Sequence, residues 1–308
     1  MNSHHLQTRL QRTHQVQQAD LQQNQRLKLN KWPYKRSYEF PGGAKLELGQ
    51  RTCIMGILNT TPDSFSDGGR YMDVDTAVRQ ARRLAAEGAD IIDIGGESTR
   101  PGFAAVPLEE ELKRVLPVIR AIREALPAMA LSIDTYKAET AKQALEAGAH
   151  IINDIWGLKG DPGMARVAAD FRCPVIISHN RHNRDYADLA ADVLADLRES
   201  AALARAAGVA DDCIWLDPGI GFAKTHEDNL ALMNQLHRLT GEGYPVLLGT
   251  SRKKFIRETL GLGTDEIAFG TAATTVLGIA QGCQIVRVHD VRSNREAAMM
   301  TDAIVYPR

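Results

Sequence analysis

Asp134, Asn153 and Asp217 each close or follow a short apolar run and offer carboxylate and amide groups. Such groups suit a flat, nitrogen-rich heterocycle, because a carboxylate can accept from an exocyclic amine and a ring N–H together, much as acids read base edges. Lys253 supplies a donor for a ring nitrogen or carbonyl. Arg100, Arg287 and His289 form a second, cationic set suited to a phosphate or diphosphate. Beside that set Asn59 offers a neutral oxygen, a ligand type that suits Mg²⁺ when waters and substrate phosphates complete its shell. Each residue also has a plainer reading: Asp134 or Asp217 alone can cap a helix, and Asn153 alone can satisfy a turn. His179-x-x-His182 has the spacing of a metal pair, but no carboxylate or thiol clearly completes it, and two unrelated loop histidines are expected.

The positions of these residues follow a rhythm. Eight short apolar runs are expected as strands: Cys53–Leu58, Ile91–Ile94, Leu131–Ile133, Ile151–Asn153, Val175–Ile177, Ile214–Leu216, Val246–Leu248 and Ile285–Val288. Segments of helical spacing alternate with them: Thr76–Glu87, Leu108–Leu126, Glu139–Ala147, Gly163–Asp170, Ala187–Ala207, Asn229–Leu239, Ile267–Ala280 and Asn294–Ile304. Continuous apolar strands belong to a parallel sheet hidden under helices. Eight strand–helix units in about 250 residues predict an α/β fold, a closed (β/α)₈ TIM barrel. A doubly wound open sheet competes, but the first strand-to-helix turn has no G-x-G-x-x-G. A barrel carries its chemistry at the C-terminal ends of its strands, and here every strand end bears a polar or ionisable group. Strand one leads into Asn59, and strand two runs through Asp93 toward Arg100. Strand five ends in Ser178-His179-Asn180, strand seven leads into Ser251-Arg252-Lys253-Lys254, and strand eight passes through Arg287 to His289. Convergence of all eight predicts a catalytic mouth, with the long loops after strands one and two as lids.

Composition narrows the partners. Of 308 residues 44% are hydrophobic and 24% charged, the profile of a globular protein, and 37 Lys and Arg nearly balance 38 Asp and Glu. No basic field exists for nucleic acid, and no apolar run approaches a membrane span. Four isolated cysteines and no apolar leader predict a cytoplasmic protein. Residues 1–31, rich in Gln and poor in apolar side chains, are expected to be a disordered extension, with 32–308 a single domain. Within it, residues 32–50 read as a short β-hairpin closing the barrel floor.

At the level of motifs the chain resembles the dihydropteroate synthases, a family of pterin-binding barrels. The resemblance rests on Asn59-Thr60-Thr61-Pro62-Asp63-Ser64-Phe65-Ser66-Asp67-Gly68-Gly69 and Gly95-Gly96-Glu97-Ser98-Thr99-Arg100-Pro101-Gly102. It continues through Ser132-Ile133-Asp134, Ile152-Asn153-Asp154, Asp217-Pro218-Gly219-Ile220-Gly221-Phe222, Ser251-Arg252-Lys253 and Arg287-Val288-His289, in order over roughly 41–304. It implies a transferase that joins 6-hydroxymethyl-7,8-dihydropterin diphosphate to 4-aminobenzoate, releasing diphosphate and 7,8-dihydropteroate. It further implies that Asp134, Asn153, Asp217 and Lys253, with Thr99, hold the pterin. Arg100, Arg287 and His289 would hold the diphosphate, with Asn59 near Mg²⁺, and Phe65, Thr99, Arg100, Pro101 and Ser251 would border the aminobenzoate. Asp134, Asp217, Lys253 and Arg287 are the expected catalytic residues, a homodimer is the expected assembly, and sulfonamides are the expected inhibitors. The expected route is SN1-like: diphosphate leaves, the methylene cation is delocalised into the pterin, and the amine attacks. A pterin-binding paralogue without turnover and a methyltetrahydrofolate–corrinoid methyltransferase are the competing readings. Two positions depart from the family pattern: Ser178 stands where Met is usual, and Lys254 where some members have Ser near the aminobenzoate. Phe103 is bulky for its loop.

Overall fold

The computed structural model describes residues 32, 34–60, 74–97 and 105–307. The expectations for 1–31, and those for Phe65, Thr99, Arg100, Pro101 and Phe103, lie outside the described residues.

A hairpin of β1 (Arg36–Glu39) and β2 (Lys45–Leu48) precedes the alternating units. Eight parallel strands follow: β3 (Cys53–Asn59), β4 (Ile91–Gly95), β5 (Ala130–Asp134), β6 (Ile151–Asp154), β7 (Val175–Ser178), β8 (Ile214–Asp217), β9 (Leu247–Leu248) and β10 (Ile285–Val288). Each of β3 to β7 pairs with the next in sequence, while β10 pairs with both β3 and β9. The ring closes where the Leu216 N–H donates to the Pro245 carbonyl at 2.9 Å, beside a Leu216–Val246 bridge. The fold is a TIM barrel.

The strand alternation explains both its cores. Residues such as Ile54, Ile92, Leu131, Ile152, Val175 and Leu248 face outward into one apolar cluster with the helices. Their neighbours in sequence face the barrel axis, because successive side chains of a strand point to opposite sides. At the N-terminal end that inner face is apolar: Met55, Ile91, Ala130, Ile151, Ile176, Trp215, Leu247 and Ile285 form a second cluster. Two or four residues further along, the same face turns polar, with Asp93, Asp134, Asn153, Ser178, Asp217 and Arg287.

The helices cover the outside: α1 (Val74–Ala86), α2 (Leu108–Ala125), α3 (Ala138–Glu146), α4 (Met164–Phe171), α5 (Leu189–Ala206), α6 (His226–Met233), α7 (Leu236–Thr240), α8 (Lys254–Leu260), α9 (Ala268–Ala280) and α10 (Val291–Val305). In α1 the buried residues Ala77, Ala81 and Leu84 recur at helical spacing. Two elements differ from the sequence expectation. The helix expected over Asn229–Leu239 starts earlier and breaks in two. Its start is set by a capping box between Thr225 and Asp228, and Gln235 leaves helical geometry between α6 and α7. The short helix α8 was not expected, since seven residues burying only Phe255 and Ile256 carry too little periodicity to read. It stops at Gly261, which adopts φ +67°.

The hairpin closes the floor, as its composition predicts. Tyr38, Leu46 and Leu48 pack on the inner apolar cluster. The Tyr38 hydroxyl donates to the Asp212 carbonyl at 2.6 Å and accepts from Trp215 Nε1 at 3.0 Å. Trp215 is completely buried, so its N–H has no recourse to water. Tyr38→Phe is expected to cost about 1–3 kcal/mol in urea denaturation, the penalty of stranding a buried donor. Turnover at the opposite end of the barrel is expected to be unchanged.

Candidate active site

The centre of the polar layer is an ion triad. Arg287 on β10 reaches across the barrel, its Nε donating to Asp93 Oδ2 and its Nη2 to Asp134 Oδ2, each at 2.6 Å. Asp93 is fully buried and Asp134 nearly so. Asn153 on β6 joins them, its Nδ2 donating to Asp93 Oδ2 at 3.0 Å. Burial alone would weaken the charge on Arg287, but Asp93 and Asp134 outweigh it and raise its pKa. For Asp134 burial dominates over the attraction of Arg287. With Asp93 competing for the same cation, its carboxyl is pushed up to about 7. Two carboxylates sharing one guanidinium cannot both be fully compensated.

Four polar atoms of this layer have no hydrogen-bond partner among the described residues: Asp93 Oδ1, Ser132 Oγ, Asp134 Oδ1 and Asn153 Oδ1. Buried polar atoms rarely remain unpaired. All four can accept hydrogen bonds, which matches a ligand that presents N–H groups.

Asp217 at the end of β8 completes the carboxylate set. Its Oδ1 accepts the Gly219 N–H at 2.8 Å and its Oδ2 accepts the Ser178 hydroxyl at 3.1 Å. Ser178 is therefore a donor to a predicted pterin ligand rather than a simple loss of apolar floor. Gly219 is required at its position: it adopts φ +65°, and a Cβ there would lie 1.8 Å from the His179 carbonyl. Lys253 enters from the other side, its ammonium bonded to the Ile220 carbonyl and lying 4.7 Å from the Phe222 ring centroid. Burial pushes this lysine down to about 8.

Around the rim, Ser251 Oγ lies 2.9 Å from His289 Nδ1 and accepts the His289 backbone N–H at 3.1 Å. The hydroxyl proton can then serve Nδ1, leaving Nε2 as the protonated ring nitrogen. Asn59 ends β3 in register with Gly95, which is in register with Asp134. A Cβ on Gly95 would sit 3.7 Å from Asn59 Oδ1 and 3.6 Å from Asp134 Oδ2, so Gly95 lies between these two side chains. Glu97, the last described residue before 98–104, is held by Lys137, which bridges it and buried Glu111 at 2.6 and 2.7 Å.

The structure thus brings together Asp134, Asn153, Asp217, Lys253 and Arg287, and places Ser251 with His289. Arg287 sits with the carboxylates rather than apart from them. His179 and His182 make separate contacts: His179 lies between Asp196 and Lys224, while His182 packs on the Trp156 ring at 4.6 Å. Lys254 is exposed and pairs with Glu258 one turn along α8, at 3.1 Å. Sequence reasoning passed over Asp93 as a strand residue, although an acid inside Ile91-Ile92-Asp93-Ile94 is itself a signal of an occupied inner face. It also passed over Lys224, which has no such mark.

The model of the pterin binding enzyme family matches residues 55–289. A dihydropteroate synthase of Clostridium beijerinckii is 55% identical over 265 residues, covering 86% of this chain and 98% of the relative. Among solved structures, the Clostridium difficile dihydropteroate synthase in the presence of pteroic acid has a TM-score of 0.82 at 48% identity, over 83% of this chain and 98% of that one. The Xanthomonas albilineans synthase with 4-aminobenzoic acid also has a TM-score of 0.82, at 43% identity over 87% and 98%. This chain belongs to the pterin-binding enzyme family and, within it, to the dihydropteroate synthases.

Proposed function

We propose that the barrel mouth joins 6-hydroxymethyl-7,8-dihydropterin diphosphate to 4-aminobenzoate by a dissociative route. The observation that carries the residue assignment is the set of unpaired buried acceptors on Asp93, Asp134 and Asn153, with Lys253 within electrostatic range of Asp134 and Asp217. Asp134, Asp217 and Asn153 accept from the pterin N–H groups, and Lys253 donates to a ring nitrogen or carbonyl. The C–O bond to diphosphate breaks with its electron pair, and the exocyclic methylene cation is delocalised into the ring. Asp134 and Asp217 stabilise that charge. The aromatic amine then forms the C–N bond with a lone pair already available at neutral pH and afterwards sheds a proton.

His289, with its Nε2–H set by Ser251, donates to the departing diphosphate together with Arg100. Arg287 links the two halves of the site, orienting Asp134 while lending positive charge near the leaving group. Ser251 borders the aminobenzoate, a role that the family resemblance extends to Phe65, Thr99 and Pro101, which lie outside the described residues. Asn59 fits Mg²⁺, since its amide oxygen is a hard donor at the C-terminal end of β3. When bound, that ion would neutralise charge on the diphosphate. The four free cysteines, three of them buried, suit a reducing cytoplasm. Among the described residues no helix is long and apolar enough to cross a membrane.

The decisive assay is diphosphate release by the purified protein with dihydropterin diphosphate and Mg²⁺. Release is expected to depend on 4-aminobenzoate and to yield dihydropteroate; pterin binding without release would overturn the reading. The Asp134 assignment predicts a pH dependence with a definite sign. The acceptor is the ionised form, and burial pushes the Asp134 carboxyl up to about 7. Pteroic acid affinity should therefore rise by up to about tenfold per pH unit toward that value and level off above it. Asp134→Asn should bind more weakly and lose that slope in calorimetry.

The assembly proposed is a homodimer. Helices α9 and α10 pack together and expose Phe269 (89%), Val276, Leu277, Met299, Met300 and Ile304. Exposed apolar side chains on two packed helices suit an interface between chains. Light scattering is expected to give twice the chain mass of 33.8 kDa, and Phe269→Asp with Met300→Asp to give monomer.

A further inference from the structure

Lys224 is 5% exposed and lies on the turn between β8 and α6, beside the site but outside the set assigned above. Its ammonium is 2.9 Å from the Gly219 carbonyl, 3.0 Å from the Phe222 carbonyl and 2.8 Å from His179 Nδ1. Three N–H groups meet three acceptors, so this amine has nothing left to offer a substrate. Among the described residues no carboxylate is a hydrogen-bond partner of Lys224, and burial pushes it down to about 7. Burying a lysine this way costs stability that an apolar side chain would not. The return is geometric.

The two carbonyls it holds flank Ile220, whose own carbonyl accepts from Lys253. Gly221 lies against the Lys253 stem, where a Cβ would come within 3.0 Å of Cδ, and Phe222 offers its ring to the ammonium. Residues 220–222 therefore form the seat of Lys253, and Lys224 clamps that seat on both sides. Gly219 also donates its N–H to Asp217. The far end of the clamp is anchored: His179 Nε2 lies 3.0 Å from Asp196 on α5, and Arg181 engages the same carboxylate at 2.5 Å. With Nε2–H donated to Asp196, Nδ1 is the acceptor that Lys224 needs. Burial and the Lys224 charge keep this histidine neutral, pushed down to about 3.

We infer that Lys224 is a positioning residue that sets Lys253 and Asp217 by clamping the 219–222 turn to His179 and, through it, to α5. The inference rests on the assignment of Lys253 and Asp217 to the pterin.

The test is a double-mutant cycle read as pteroic acid affinity by calorimetry and as kcat/KM for dihydropterin diphosphate. Lys224→Met keeps the apolar stem and removes all three donors. It is expected to lower kcat/KM by on the order of 10²-fold, as loss of placement does, and to weaken pteroic acid binding about tenfold. KM for 4-aminobenzoate at saturating pterin should stay within about twofold. In a Lys253→Met background the same substitution should cost less than about threefold, because contacting residues are coupled. Equal losses in both backgrounds, or a lower melting temperature with native kinetics, would overturn the inference and leave the site assignment intact. A Lys253→Met protein that binds pteroic acid like the native one would instead sink the assignment, and the inference with it. His179→Phe, which removes one acceptor and the anchor, is the second variant should Lys224→Met not fold. It should show the same direction of loss and the same dependence on Lys253, and additivity there counts equally against the idea.

Discussion

A guanidinium buried inside a barrel between two carboxylates is the constraint on which the rest of the site depends. Arg287 cannot be placed there without Asp93 and Asp134, and neither carboxylate could be buried at that depth without Arg287. The triad carries one more acid than base, and burial with Asp93 nearby pushes the Asp134 carboxyl up to about 7. The same surplus favours a ligand rich in N–H donors that becomes a cation in the reaction. Substrate recognition and charge stabilisation are thus two consequences of one arrangement.

Such a triad requires a dry, closed surround, which the architecture supplies from below. The inner apolar cluster under the polar layer is sealed by the hairpin, with Tyr38 and Trp215 satisfying each other's polar atoms. The ionic layer therefore stands on a buried apolar floor rather than on solvent. The barrel divides its axis into a floor devoted to stability and a rim devoted to chemistry.

Rigidity at the rim comes from turns that carry strain and are held by buried polar groups. Leu158, Ala223 and Arg252, all in turns that follow strands, adopt positive φ without being glycine. Each stands among hydrogen bonds that hold its turn: Asp154 accepts the Leu158 N–H, Tyr186 donates to the Ala223 carbonyl, and Arg252 pairs with Asp290. Groups that must act through exact placement are mounted on these turns, whereas Asp93, Asp134, Asn153 and Arg287 stand on the strands.

Much of this was legible from the chain alone. Apolar runs ending in Asp134, Asn153, Asp217 and Arg287, spaced by helical segments, determine a parallel barrel with a polar rim, because strand period and burial on both faces are local properties. The hairpin over 32–50 was readable for the same reason. Long-range partners were not. Asp93 and Arg287 are separated by 194 positions and meet only because the sheet closes on itself. Ser178 reads as a lost methionine until strand pairing sets it in register with Asp217. Lys224 looks like any loop lysine until the turn folds three acceptors around it. Residue types and their order determined which chemistry was on offer and at which end of which strand. Only the tertiary structure decided which charges neutralise one another, because that depends on distances across the barrel that no local spacing encodes.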